Sequence, residues 1–319
     1  MEKSKVILDV DPGIDDSLAL LLALLSNKFD VLAITIGSGN VDVNQGAKNA
    51  SKLLALINQH HIPVYKGVEL PLKIEYTDAR DTHGEDGLGE AYFYDQDISQ
   101  KQHAVDFMDE TLKKYPHEIT IFALGPLTNM ASLLQKDPTV LSLAKEIRVM
   151  GGSYHVPGNC SPVAEYNFWC DPHAAKIFFN HVTSNVYLYT LDVTYDILFS
   201  PNMREMVRQL GSEVSQFVYD ITRFYVDFHW KQERTLGCVI NDPLVIADKI
   251  ENMVTFQRAF VDVVEDGIAR GESVVNLNDD GNIWVSKSVD KKRFFEIFFE
   301  QVFNENIEDI QLMFRKGMI

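Results

Sequence analysis

Two hydrophobic patterns alternate along this chain. Short, almost continuously apolar runs rich in β-branched residues, at 6–10, 31–36, 119–124, 147–150 and 186–191, read as buried strands. Between them, 15–25, 44–57, 104–114, 127–134 and 172–180 carry the helix formers expected of crossovers in a parallel sheet. Later come a long helix over 212–230, a shorter one from Pro243, hairpin-like runs at 254–264 and 271–277, and a helix over 291–303 expected to close the fold. The pattern predicts an α/β fold: a mainly parallel, Rossmann-like sheet with helices on both faces and a small β hairpin extension. No repeat, low-complexity tract or Pro/Ser-rich linker interrupts it, so 1–319 is expected to be a single domain. The least regular stretch, 67–102, is longer than most loops in compact domains and is expected to form a functional lid around the Gly-rich 81–89 segment.

Composition narrows the partners. With 46% hydrophobic and 24% charged residues the chain is ordinary for a globular protein, able to bury a sizeable core. A balance of 29 basic against 46 acidic side chains, −17 overall, repels a phosphate backbone and argues against nucleic acid polymers. No 18-residue uncharged apolar stretch suggests a membrane span, and the start enters a strand-like run without a signal-peptide pattern. Cys160, Cys170 and Cys238 are odd in number and lack Cys-x-x-Cys spacing, which fits a reducing cytoplasm and inert packing.

The candidate chemistry sits at the exit of the first strand. Asp9-Val10-Asp11-Pro12-Gly13-Ile14-Asp15-Asp16 places four carboxylates within eight residues, where ligands of open α/β sheets bind. Four clustered anions repel one another. The N-terminus of the following helix favours Asp15 and Asp16 by only roughly 0.3–1 kcal/mol each, too little for the whole set. A hard cation such as calcium or magnesium, bound by carboxylate and carbonyl oxygens, supplies what is missing.

This segment resembles the N-terminal signature of nucleoside hydrolases of the inosine-uridine preferring type. Further matches follow in order: Gly39-Asn40, Gly125-Pro126-Leu127-Thr128-Asn129, Met150-Gly151-Gly152, Gly158-Asn159, Ala164-Glu165-Tyr166-Asn167 with Asp171-Pro172, and Asn241-Asp242-Pro243-Leu244. The resemblance implies hydrolysis of the bond between ribose and base in a ribonucleoside, with Ca2+ held by Asp11, bidentate Asp16, Asp242 and the carbonyl of Leu124. It implies Asp11 as the base that activates water, with Asp9 supporting the cluster. Asp15, Asn40, Asn159, Glu165 and Asn167 would bind the ribose, and Tyr166 lies within the same substrate-binding motif. A homo-oligomer, dimer or tetramer, is implied as well.

The match breaks on the base side. Many relatives place a histidine before the metal-binding Asp-Pro, and this chain has Asn241, whose amide has no titrating proton near neutrality. His83, on the Gly-rich loop, and His229, spaced i, i+4 from Tyr225 so that both can face one pocket, are the candidate proton donors, while Trp230 points elsewhere. Asn241 and Tyr225 are the alternative, stabilising the departing base by hydrogen bonds. Two other readings of the acidic motif are a magnesium-dependent Asp-x-Asp phosphatase, whose later Ser/Thr and Lys motifs are missing, and a non-catalytic ribose- or nucleoside-binding protein that retains the calcium site.

Overall fold

A computed structural model of the chain describes residues 3–91 and 99–317, so part of the irregular 67–102 stretch lies outside the described residues. β1 (Ser4–Val10) is buried because its side chains alternate between two apolar layers: Val6, Leu8 and Val10 pack into one, Ile7 into the other. α1 (Ile14–Leu25), β2 (Phe29–Ile36), α2 (Val43–Leu56) and β3 (Val64–Lys66) carry the chain to one edge of the sheet. It returns past α3 (Arg80–His83) and α4 (Ala104–Lys114). β4 (Ile119–Ala123), α5 (Thr128–Lys136), β5 (Glu146–Met150), α6 (Tyr166–Cys170), α7 (Pro172–His181) and β6 (Val186–Tyr189) then build outward on the other side of β1.

The remaining elements are α8 (Leu191–Thr194), β7 (Leu198–Phe199), α9 (Pro201–Leu210), α10 (Glu213–Glu233), β8 (Cys238–Val239), α11 (Asp242–Ile250), β9 (Val254–Val263), β10 (Ser273–Leu277), β11 (Ile283–Val289), α12 (Lys291–Val302) and α13 (Ile307–Arg315). One sheet of nine strands has the order β10-β9-β11-β6-β5-β4-β1-β2-β3. It is parallel from β3 to β11 and turns antiparallel only at β9 and β10. The order 3-2-1-4-5-6 reverses between β1 and β4, and ligands of such sheets bind beyond the carboxyl ends of the strands at that reversal. Asp11 follows one of these strand ends and Leu124 the other.

The hairpin of β9 and β10 does extend the sheet, joined to the parallel strands through β11, which inserts between β6 and β9. The β11 pattern is broken by Ser286, which is fully buried yet satisfied because its Oγ accepts from Thr190 N at 3.1 Å. One expectation changes: the helix over 291–303 does not close the fold, because α13 follows it and buries Ile310. At the far end of α11, Asp248 accepts from Met253 N and Val254 N, both at 2.8 Å, and from Arg148 Nη1 at 2.9 Å and Tyr189 Oη at 2.7 Å. These bonds pin the helix whose first residue is Asp242.

Candidate active site

After β1 the chain turns at Pro12-Gly13 into α1, and Asp16 folds back over the turn. Its Oδ1 accepts from Asp11 N at 3.2 Å and its Oδ2 from Gly13 N at 3.1 Å and Asn40 Nδ2 at 2.9 Å. Asn40 N donates to Asp11 Oδ2 at 2.7 Å, so one residue after β2 ties two aspartates together. Gly39 permits this approach, since a Cβ there would collide with the Asp11 carboxylate. Asp9 accepts from Thr35 Oγ1 at 2.6 Å and Asn129 Nδ2 at 2.9 Å, a supporting place beside the cluster. Carboxylate oxygens of Asp15, Asp16 and Asp242 lie within 4.8 Å of one another.

All five aspartates are buried. Burial raises Asp9 to about 6; burial and repulsion from Asp15 raise Asp16 to about 7. Asp11 is held well above the usual carboxylate range by burial and then by Asp16, and Asp242 by burial and then by Asp15. A like-charge pair near 4 Å costs roughly 4 kcal/mol at an effective dielectric of 20, whereas a helix N-terminus returns roughly 0.3–1 kcal/mol per carboxylate. No Lys or Arg lines the adjoining cavity among the described residues. An all-oxygen, charge-dense donor set of this kind fits a hard cation.

A cavity of about 510 Å³, the size of a small-molecule site, opens beside this cluster. Asp15, Asn40, Leu124, Asn159, Glu165, Tyr166, Asn167 and Asp242 all line it, as the sequence leads one to expect. Asp11 and Asp16, 1% and 0% exposed, are joined to that wall through Asn40. Several of the expected ribose contacts also hold the site together. Asn167 Nδ2 donates to Leu124 O at 2.7 Å, leaving that carbonyl a second lone pair. Glu165 caps α6 by accepting from Asn167 N at 2.8 Å and Phe168 N at 3.2 Å, and it also accepts from Gly152 N at 2.9 Å; burial nevertheless lifts its carboxyl to about 7. Asn159 Oδ1 accepts from Tyr166 N at 2.9 Å, and Tyr166 Oη donates to Thr77 O at 3.1 Å.

His83, Tyr225, His229 and Asn241 also line the cavity. Ile14 N donates to His83 Nδ1 at 3.0 Å; a backbone N–H can only donate, so this nitrogen is the acceptor and Nε2 carries the proton. Burial lowers the His83 pKa, reinforcing the neutral ring. His229 differs. Its Nδ1 donates to Tyr225 O at 2.8 Å and its Nε2 accepts from Val239 N at 3.4 Å, which leaves no ring N–H free. Asn241 Nδ2 donates to Asp15 Oδ2 at 3.2 Å and Tyr225 Oη donates to the same oxygen at 3.5 Å, while Asn241 Oδ1 is buried without a partner. Trp230 is 47% exposed, facing away as its helical position implies. Phe228 and Gln232 also line the cavity; their i+3 and i+7 spacing from Tyr225 was a usable signal in the sequence. Thr77, Trp169 and Tyr195 carried none.

Residues 6–296 match the family described as inosine-uridine preferring nucleoside hydrolase. The chain is 35% identical over 279 residues to an inosine-uridine preferring nucleoside hydrolase of Leishmania major, covering 86% of this chain and 88% of that one. It is 34% identical over 307 residues to a pyrimidine-specific ribonucleoside hydrolase of Salmonella arizonae, covering 93% and 97%. The solved structure of a purine-preferring ribonucleoside hydrolase from Gardnerella vaginalis superposes with a TM-score of 0.89 at 31% identity, covering 95% of this chain and 99% of that one. With the fold, the ordered motifs and the carboxylate cluster all agreeing, the chain belongs to the inosine-uridine preferring nucleoside hydrolase family.

Proposed function

We propose that this chain hydrolyses the N-glycosidic bond of ribonucleosides, releasing ribose and the free base, with Ca2+ as its working ion and residues 1–319 acting as one catalytic domain. The observation that carries this reading is a buried five-aspartate cluster opening onto a nucleoside-sized cavity walled by amides and carboxylates. Asp11, Asp16, Asp242 and the Leu124 carbonyl would hold the ion, with Asp15 close enough to Asp16 and Asp242 to share it. When bound, calcium would neutralise the cluster and orient ribose hydroxyls as a Lewis acid. Asp11, fixed by Asn40 N, takes the proton of the attacking water. Water oxygen then bonds to the anomeric carbon as the C–N bond breaks, and the base departs with the electron pair. Asp15, Asn40, Asn159, Glu165, Tyr166 and Asn167 bind the ribose, and the surrounding carboxylates stabilise its oxocarbenium character.

On the leaving side, His83 offers the base the free Nε2–H, whereas His229 braces α10 against Val239. Asn241 holds Asp15 in place. No Lys or Arg of the described residues stands in the cavity wall to pair with a phosphate, which disfavours the phosphatase reading. Three free thiols support a cytoplasmic setting, and Phe260, Val274 and Leu277, exposed on the β9–β10 hairpin, support a homodimer or tetramer. No described helix is long and apolar enough to cross a membrane. The test is a panel of purine and pyrimidine ribonucleosides incubated with calcium-loaded protein and assayed for free ribose. Release of ribose is expected; tight binding without release would support a binding protein, and phosphate release from a phosphomonoester the phosphatase.

A further inference from the structure

Asn49 stands out among the buried polar side chains beyond the acidic motif: it lies in the middle of α2, 1% exposed. A buried amide is costly unless its atoms are bonded. Here they are: Nδ2 donates to Pro12 O at 3.0 Å and to Asp86 O at 2.8 Å, and Oδ1 accepts from Gln45 Nε2 at 3.0 Å. Pro12 lies between Asp11 and Gly13 in the carboxylate turn. Asp86 lies three residues beyond His83 in the Gly-rich segment. One amide thus bridges the two parts of the chain that carry the water-side and base-side groups.

A second bond crosses the same junction, from Ile14 N to His83 Nδ1 at 3.0 Å, so the segment is docked on both sides of Gly13. Asp86 Oδ1 accepts from Leu88 N at 2.8 Å and Glu90 N at 2.9 Å, which shapes the segment into a turn that docks as a unit. Gly87, at φ +73°, makes the close approach possible, because a Cβ there would meet Val41 Cγ1 at 2.8 Å, Asn49 Nδ2 at 2.9 Å and Pro12 O at 3.3 Å. We propose that Asn49 is a positioning residue that couples docking of residues 79–91 to the carboxylate turn and so sets where His83 Nε2 stands over the cavity. The coupling is mechanical. Only its catalytic consequence rests on the function proposed above.

Two readouts test it. Hydrogen exchange of the metal-free full chain needs no activity: Asn49→Ala should speed exchange of the 80–90 amides, and Gly87→Ala, which attacks the same contact from the other side, should do so too. With calcium and a nucleoside, either variant should lower kcat by roughly 10–100-fold, since small misplacements of reacting groups cost about that much. The double variant Asn49→Ala/His83→Ala should be no slower than His83→Ala alone, because the placement of an absent ring no longer matters. Unchanged exchange at 80–90 in both single variants overturns the proposal, as do losses that multiply in the double variant. If Asn49→Ala does not fold, Gly87→Ala alone decides. A parent chain that releases no ribose would sink the hydrolase reading while exchange still settles the coupling.

Discussion

His83→Ala separates hydrogen bonding to the leaving base from true proton transfer. Nδ1 of His83 accepts from Ile14 N, so the ring cannot become an imidazolium without breaking a buried bond, and burial already pushes its pKa down. On the proposed mechanism, the group offered to the base is a neutral Nε2–H. A hydrogen bond to a group gaining charge is worth roughly 1.5–3 kcal/mol, which at about 1.36 kcal/mol per decade is about 10–150-fold in rate. Imidazolium acid catalysis would reach about 10²–10⁴-fold and impose a pH limb. The expected result is therefore a loss of about 10–150-fold in kcat/KM for uridine or inosine, with much less change for p-nitrophenyl riboside, whose leaving group is stable as an anion. His229→Ala should slow both substrates alike and chiefly lower stability, by about 1–3 kcal/mol, because Val239 N–H loses its acceptor. Free-ribose and p-nitrophenolate assays on the two variants decide it. Equal slowing of both substrates by His83→Ala, or leaving-group-selective loss in His229→Ala, refutes the assignment.

Asp11→Asn should cut turnover by about 10²–10⁴-fold or more while raising the thermal midpoint of metal-free protein, because a buried carboxylate pushed up by its neighbours is replaced by an amide; near-parental turnover counts against Asp11 as the base. Asp9, Asp16 and Glu165, lifted from 3.8, 3.8 and 4.5 to about 6, 7 and 7, hold more protons folded than unfolded between their ordinary values and neutrality. Stability of the metal-free chain should then fall as pH rises through that window, and calcium should restore it near pH ~7.5 with release of protons; a metal-free midpoint that climbs with pH contradicts this. Ribonucleosides should exceed their 2'-deoxy counterparts in kcat/KM by ~10² or more, since a lost hydroxyl leaves buried partners unpaired; comparable values would displace the ribose contacts.

The local patterns were enough to determine the alternating strands and crossover helices and to set the carboxylate motif at the end of a strand; the strand order, and with it the switch point that places Asp11 and Leu124 at neighbouring strand ends, is decided by tertiary pairing. Periodicity and motif order are properties of contiguous residues, so they survive in one dimension. Buried Ser286 broke the pattern of β11, and three-residue β3 was too short to show one. The cluster of carboxylates from 9 to 16 was legible as a charge problem, but Asp242 joins it only because α11, pinned at its far end by Asp248, points its first residue there. Tertiary structure alone decided the histidines. The sequence offers both His83, on a loop, and His229, on a helix, as proton donors, and only the backbone groups brought to them, Ile14 N for one and Tyr225 O with Val239 N for the other, decide which ring keeps a proton to offer. Asn49 is the extreme case: an unremarkable helix residue whose place between Pro12 and Asp86 depends on two contacts 37 positions away on either side, which no local pattern encodes.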